Sequence, residues 1–381
     1  MIQIETAPYP SVALTHPGLS GKNNEDRFAV SAFRLSRHNS TPVMLAVLSD
    51  GIGGHRAGEV AAEVAVERIS EQVAHGHLSQ PTTLLKEAVI QASEEINQLA
   101  QVDEERKGMG ATCVAALIVG RRMYAVTVGD SRLYLMRAGG IRQLSTDHTW
   151  IQEAIEAGIL QPGDVNGHPN AHVIRRYLGS PKPPQVDYRL RLSDRETDLQ
   201  AEDNQGMSLQ PGDRILLCSD GLTDLVNEDE ILEHFQRLPL DEAAQALIDL
   251  ANARGGHDNI TLVAVEIPQK TTAHTLTLWR IVRLGCLTIL LFGVLFIGMI
   301  FGWGFLIGET GRPSPTPTIP ILLTDPLPVA PTPDETRPAT ITVAPVLPDQ
   351  LPTDTPAATE TVMSGAATIT PWPTNTMQNS R

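Results

Sequence analysis

The sequence predicts an α+β fold, and two patterns in the first 267 residues support it. Short apolar runs bounded by turn residues, such as 43–48 and 214–218, are typical of buried strands. Apolar residues at helical spacing predict paired helices over 56–74 and 82–100, and over 228–236 and 240–254. Because strands run in groups and helices come in pairs, we expect layers of sheet packed against layers of helix.

Composition divides the 381-residue chain into four parts. Residues 1–267 have a mixed, globular composition, and 268–279 form a linker. Residues 280–307 are predicted to be a transmembrane helix, since Leu284–Ile307 has no charged residue and exceeds the roughly 20 positions that span a bilayer. Residues 308–381 are rich in Pro and Thr and are predicted to be a disordered tail, because this composition cannot pack a core.

Charge around the apolar segment predicts its orientation. Arg280 and Arg283 precede it, whereas only Glu309 and Arg312 lie close after it. Positive residues favour the cytoplasmic side, so we expect a single-pass protein of the cell membrane with residues 1–267 inside and the tail outside. The tail is either a passive anchor or a stalk that senses an external ligand.

The chain is acidic, with 44 Asp and Glu against 29 Lys and Arg. Residues 1–267 hold 37 of the acidic and 23 of the basic residues. This balance argues against nucleic acid as a partner.

Five carboxylates stand at the ends of predicted elements. Asp50 and Asp220 each follow an apolar run in the same tripeptide, Ser-Asp-Gly, and Asp26, Asp130 and Asp258 occupy similar positions. A single Asp-Gly is usually a turn or a helix cap. Five carboxylates gathered at strand ends repel one another unless a hard cation neutralises them, so the pattern predicts a site for Mg²⁺ or Mn²⁺.

These residues lie in motifs that together resemble the bacterial form of the metal-dependent serine/threonine protein phosphatases of type 2C. The resemblance covers roughly residues 10–267 in family order. Its motifs are Asn23-Asn24-Glu25-Asp26-Arg27, Ser49-Asp50-Gly51-Ile52-Gly53-Gly54-His55, Met109-Gly110-Ala111-Thr112, Val128-Gly129-Asp130-Ser131-Arg132, Ser219-Asp220-Gly221-Leu222 and Gly256-His257-Asp258-Asn259. The resemblance implies a β-sandwich of two antiparallel sheets flanked by helical pairs.

The resemblance also implies a binuclear site for Mn²⁺ or Mg²⁺ with a bridging hydroxide as the nucleophile. Asp50 would bridge both ions. The other ligands would be Asp26, the backbone carbonyl of Gly51, Asp220 and Asp258. Asp130, together with Asp220, matches the positions that hold a third, weaker ion, which would activate or position a second water.

Three further positions bear on the chemistry. His55 would protonate the leaving seryl or threonyl oxygen, although a cap or surface histidine is an equally good interpretation. Asn259 would support Asp258 rather than bind metal. Gly21 stands where family members commonly place an arginine that clamps the substrate phosphate, and Lys22 is the nearest cation that could hold it.

Two loops complete the prediction. Residues 148–182 resemble the family's mobile flap, in which Arg175 and Arg176 would either steer a phosphopeptide or be a solvated pair. Residues 195–206 are polar and rich in turn formers, so they are predicted to be a surface loop.

The expected function is hydrolysis of phosphoserine and phosphothreonine in cytoplasmic proteins, opposing serine/threonine kinases of the eukaryotic-like type. Gly21 keeps open a rival from another class, a pseudophosphatase that binds phosphoproteins or transmits a signal without turnover. A phosphatase specialised for an anti-sigma-type regulator is a third possibility.

Overall fold

The structure, a computed structural model, describes residues 1–53, 57–161, 163, 168–269 and 293. The strands in these residues are β1 (Ile2–Gln3), β2 (Ser11–His16), β3 (Arg27–Arg34), β4 (Pro42–Ser49), β5 (Gly51–Ile52), β6 (Gly110–Ala111), β7 (Cys113–Val119), β8 (Arg122–Val128), β9 (Arg132–Arg137), β10 (Gly140–Gln143), β11 (Met207–Ser208), β12 (Arg214–Cys218) and β13 (Ile260–Glu266). The α-helices are α1 (Ala57–His75), α2 (Pro81–Val102), α3 (Trp150–Glu156), α4 (Asp198–Asp203), α5 (Asp220–Thr223), α6 (Glu228–Arg237) and α7 (Leu240–Ala253).

Two antiparallel sheets form the centre of the fold. One has the order β1-β3-β4-β7-β8-β11, the other has the order β10-β9-β12-β13-β2, and β5 and β6 make a separate pair. The pairing Met44↔Ile118 and the pairing Leu216↔Ala264 set the register of their central strands. The strands are antiparallel throughout, so each hairpin returns the chain to the edge where it began.

Alternation along β4 explains the layering. Val43, Leu45 and Val47 pack in a cluster with α1 and α2, whereas Met44 and Leu48 pack between the two sheets. A strand presents successive side chains to opposite faces, so an uninterrupted apolar run is what a strand buried on both faces requires. In the same way β12 faces α6 and α7 on its outer side.

The predicted sandwich of antiparallel sheets between helical pairs is confirmed. The prediction of a surface loop over 195–206 is wrong, because α4 lies within it. The Thr197 hydroxyl accepts from the backbone N–H of Gln200, whose side chain accepts from the backbone N–H of Thr197. This capping box stabilises a helix too short and too polar to show apolar periodicity.

Within the described part of the chain, no helix is both long and apolar enough to cross a membrane. The transmembrane helix predicted over 280–307 and the predicted tail lie outside the described residues, apart from residue 293.

Candidate active site

The five predicted carboxylates lie at one edge of the sandwich, which we call the carboxylate edge: Asp26, Asp50, Asp130, Asp220 and Asp258. Strand pairing brings them there. Arg27, at the start of β3, lies opposite Ser49 at the end of β4, and Cys218, at the end of β12, lies opposite both Arg132 and Leu262. The residues just before or after these strand ends are therefore neighbours in space.

Two of these carboxylates are buried and incompletely paired. Asp26 is 1% exposed; its Oδ2 accepts from the Ser219 hydroxyl at 2.8 Å, and its Oδ1 has no partner among the described residues. Asp130 is 7% exposed, and its Oδ1 also lacks a partner in the described chain. Burying an acceptor without a partner is costly, so these oxygens are open positions for a ligand.

The electrostatics of the edge favour a cation. Burial and then the charge of Asp26 hold the pKa of Asp50 well above its usual range, and burial and then the charge of Asp130 do the same for Asp220. Burial raises the pKa of Asp26 to about 6, although hydrogen bonds from Thr261 and Ser219 oppose the shift. Carboxylates crowded in this way are stabilised in their charged form by a divalent ion.

Thr112 joins two of the carboxylate loops. Its hydroxyl accepts from the Asp50 N–H at 2.9 Å and is 2.7 Å from the Ser131 hydroxyl, which lies next to Asp130. The Thr112 N–H donates to the Asp50 carbonyl at 2.8 Å. Thr112 is fully buried, so it fixes the backbone on both sides of the site. Thr112 belongs to one of the motifs in the sequence, but the sequence predicted no role for it.

Asn259 contacts Asp258 through its backbone, whereas its side chain holds a different segment. Its backbone N–H donates to Asp258 Oδ1 at 2.9 Å, but its side chain accepts from the Glu25 N–H at 2.7 Å. The same amide donates to the carbonyls of Pro17 and Asn23, each at 3.1 Å. The Asn259 side chain thus holds the segment that carries Asp26.

Gly51 lies where a larger residue would not fit. A Cβ at this position would be 2.3 Å from the Gly58 carbonyl oxygen of α1, and a Cβ on Gly58 would be 2.7 Å from Glu25 Oε2. The close approach brings Glu25 into the site, where burial and then the charge of Asp258 raise its pKa to about 7. The sequence predicted no site role for Glu25, although it lies beside Asp26.

The proposed phosphate-binding residue lies at the mouth of the site. Lys22 Nζ is 3.7 Å from Asp258 Oδ2, and both side chains are exposed. Gly21 has a positive φ of 74°, and a Cβ there would meet nothing within 4 Å. His55 lies outside the described residues, so its predicted role as general acid stays a prediction.

Two residues beside Asp220 were missing from the predicted site. Among the described residues, one ligand atom from each of His172, Asp220 and Asp224 lies within 4.8 Å of the others, and His172 Nδ1 is 3.5 Å from Asp224 Oδ2. Asp224 follows Asp220 by four residues, a spacing that places two side chains on one helical face. His172 belongs to the predicted flap.

A buried polar cluster supports the loop of Asp130 from behind. His148 Nδ1 accepts from the Gly129 N–H at 3.0 Å, and its Nε2 lies 3.1 Å from Asp187 Oδ2. Burial works against ionisation of Asp187, but hydrogen bonds from His148 and Arg189 outweigh it and hold the pKa of Asp187 below its usual range. These residues are distant in sequence and carry no local pattern that could have revealed the contact.

Comparison with known proteins agrees with this geometry. The family model described as protein phosphatase 2C matches residues 19–250. The serine/threonine phosphatase stp of Listeria monocytogenes is 33% identical over 257 residues, which are 66% of this chain and 93% of that protein.

Two solved structures are similar in fold. The Streptococcus agalactiae serine/threonine phosphatase has a TM-score of 0.58 at 32% identity, covering 68% of this chain and 98% of that one. The catalytic domain of the phosphatase PstP, in complex with two manganese ions, has a TM-score of 0.54 at 32% identity with the same coverage. The chain therefore belongs to the protein phosphatase 2C family and is an enzyme of its serine/threonine phosphatase type.

Proposed function

We propose that this chain hydrolyses phosphoserine and phosphothreonine esters in cytoplasmic proteins with two bound Mn²⁺ or Mg²⁺ ions. The observation that carries the proposal is the unpartnered, buried Oδ1 of Asp26 beside the crowded carboxylates of Asp50 and Asp220. The two manganese ions of the PstP catalytic domain support the same number of ions here.

The donor set fits such ions. Carboxylate and carbonyl oxygens are the ligands that hard divalent cations prefer. We assign Asp26, Asp50, the Gly51 carbonyl, Asp220 and Asp258 as ligands of the two ions. When bound, the ions would neutralise the carboxylates, polarise the phosphoryl oxygens and supply an activated water as the nucleophile.

A third, weaker ion is proposed at Asp130 and Asp220. The unpartnered Asp130 Oδ1 supports it, and burial followed by the charge of Asp147 raises the pKa of Asp130 to about 6. The hydrogen bond between the Thr112 and Ser131 hydroxyls would fix the backbone next to Asp130.

Around the ions, the chain itself would bind and orient the substrate. Lys22 would leave Asp258 to hold the phosphate as a point charge, which its 3.7 Å separation and its exposure allow. His55 would give a proton to the leaving oxygen of the serine or threonine. A single lysine holds phosphate less specifically than a bidentate arginine, so we expect weaker substrate binding rather than a slower chemical step.

A second candidate function is a pseudophosphatase that binds phosphoproteins without turnover. Gly21 favours it, because the position usual for the clamping arginine has no side chain. The intact set of carboxylates favours the enzyme.

We also propose that residues 280–307 anchor the enzyme in the cell membrane with its catalytic part on the cytoplasmic side. Membrane serine/threonine kinases and their phosphorylated targets would then be substrates within reach. Their phosphoryl groups need only local positive charge, so an acidic domain is no obstacle.

The test is Mn²⁺-dependent release of phosphate from a phosphothreonine peptide. The Asp220→Asn variant should be inactive, and the Asp241→Asn variant, altered at an exposed carboxylate of α7, should keep full activity. A chelator should abolish the activity of the unmodified chain. Peptide binding without turnover at any Mn²⁺ concentration would establish the pseudophosphatase instead.

A further inference from the structure

The edge of the sandwich opposite the carboxylate edge is formed by turns that meet one another. The Gly120 N–H, in the β7–β8 turn, donates to the Pro42 carbonyl at 2.8 Å, at the end of the β3–β4 loop. The Tyr9 hydroxyl donates to the Gly120 carbonyl. The Gly212 N–H donates to the carbonyl of Ile267 at 2.8 Å, just after β13. This edge is therefore also where the chain leaves its last described strand.

Four arginines give this edge an excess of positive charge. They have no acidic partner among the residues that the structure describes: Arg34, Arg37, Arg121 and Arg122. Two acids at the same edge are already paired, Asp213 with Arg137 at 2.6 Å and Glu266 with Arg214 at 2.8 Å. We call the four arginines the basic edge. It stands out on a domain that is strongly acidic and carries the crowded carboxylates of the candidate active site at the other end.

Arg121 is the most informative of the four. Its Nε and one terminal nitrogen, Nη2, are enclosed by protein and have no hydrogen-bond partner in the described chain, and the residue is half-buried. Donors deprived of both water and an acceptor are costly. Turning the half-buried side chain outward to an anionic oxygen would relieve that cost.

The sequence beyond this edge indicates where such oxygens come from. Only 16 residues separate Ile267 from the apolar segment that begins at Leu284, and they include Lys270, Arg280 and Arg283. Fully extended, 16 residues reach about 55 Å, so an anchored domain stays close to the bilayer. The cytoplasmic leaflet is anionic and attracts basic residues that lie beside a span.

We propose that the basic edge docks on anionic lipid headgroups of the membrane to which the chain is anchored. The inference rests on the proposed anchoring, and it adds an orientation that a linker alone would not impose. Docking would draw the Arg121 side chain outward, so that the donors enclosed in the undocked protein could bind headgroup phosphate. Each arginine brought to an anionic surface should favour the docked orientation about fivefold. Above about 0.5 M salt, screening over a few ångströms should release it.

The experiment uses the full chain in lipid nanodiscs, either zwitterionic or containing an anionic phospholipid. A fluorophore on Asn39→Cys, in the exposed β3–β4 loop, reports distance by energy transfer to acceptors on the headgroups. The control label is on Glu105→Cys, at an exposed position close in sequence to β6. Strand β6 pairs with β5, which begins just after Asp50. We expect anionic lipid to raise transfer from position 39 and not from position 105, and salt to reverse the rise.

Charge-reversal variants separate this docking from general electrostatics. Arg34→Glu/Arg37→Glu should abolish the lipid-dependent rise in energy transfer. Arg106→Glu/Lys107→Glu makes the same net charge change near β6, on one half-buried and one exposed residue, and should preserve the rise. Equal energy transfer from position 39 in both lipids, with the chain still in the disc at high salt, would refute the docking but not the anchoring. A chain that leaves the disc at high salt would refute the anchoring and with it this inference.

Discussion

Replacing Thr112 with valine should weaken both the fold and the metal site, because one hydroxyl serves two loops. Valine keeps the shape of threonine but cannot accept from the Asp50 N–H or bond to the Ser131 hydroxyl, contacts of 2.9 Å and 2.7 Å. Thr112 is fully buried, so water cannot replace the lost partner. The variant therefore leaves a backbone donor and a hydroxyl without their present partner.

The cost follows from these two groups. Each buried group left unpaired costs about 1–3 kcal/mol, and the Ser131 hydroxyl can rotate toward another acceptor, so we expect a loss of about 2–4 kcal/mol in the free energy of unfolding. Because the Asp50 and Asp130 loops lose their link, Mn²⁺ affinity should fall about 10- to 100-fold, as it does when groups supporting metal ligands are removed.

Urea unfolding and calorimetric Mn²⁺ titration of residues 1–269 would measure both quantities. This fragment contains all the strands and helices above, and 257 matched residues of this chain cover 93% of the Listeria relative. Thr41→Val is the matched control, since its hydroxyl donates to Asn39 Oδ1 at an exposed position and its loss should cost less than about 0.5 kcal/mol. Adding Ser131→Ala to Thr112→Val should cost less than the sum of the single changes. Unchanged stability and Mn²⁺ affinity in Thr112→Val would refute the reasoning.

Three further predictions concern pH and substrate binding. The pKa of Asp187 is depressed in the folded protein, so its stabilising contribution is present above about pH 4 and is lost as pH falls further. Asp187→Asn should make stability less dependent on pH below about 4, as monitored by circular dichroism during acid unfolding. The same pH dependence in the variant and the unmodified protein would contradict this. The pKa of Asp26 is raised to about 6 without metal, so metal-free protein should lose stability as pH rises from about 4 to 6. Mn²⁺ should therefore raise the melting temperature more at pH 7 than at pH 5. An equal rise at both pH values would contradict this prediction. An arginine at position 21 would have open space around it, so Gly21→Arg should lower KM for a phosphopeptide; the φ of 74° should make the change cost about 1–2 kcal/mol in stability. Steady-state kinetics measures KM, and Gly21→Ala is the control for the backbone strain. An unchanged KM in Gly21→Arg would mean that the arginine does not clamp the phosphate.

The sequence was most informative where one local pattern had one structural meaning. The apolar run of β4, which is buried on both faces, and the apolar stripes of α1 and α2 predicted the layers of sheet and helix. The two Ser-Asp-Gly tripeptides predicted that Asp50 and Asp220 would lie close together. By contrast, α4 has too few turns for periodicity and depends on one capping box.

The supporting contacts of the site were harder to predict. His148 and Asp187 are 39 residues apart and meet only because the chain folds back behind the loop of Asp130. The Asn259 side chain reaches across 234 residues to the Glu25 N–H, and neither sequence motif shows which partner it will choose. Contacts of this kind depend on the register of packed strands, which the sequence does not encode locally.

The proposed docking would give the length of β4 a geometric consequence for substrate choice. Its eight residues, from Pro42 to Ser49, run from the basic edge to the carboxylate edge, and at about 3.3 Å per residue they span about 26 Å. An enzyme docked by its arginines would hold the carboxylate edge at that height above the lipid surface. Phosphorylated residues directly beside a partner's own membrane span would lie below this edge, whereas those on an activation loop or a folded domain would lie level with it. The length of the sandwich would then determine which substrates the enzyme reaches, according to the distance of their phosphorylated residues from the bilayer.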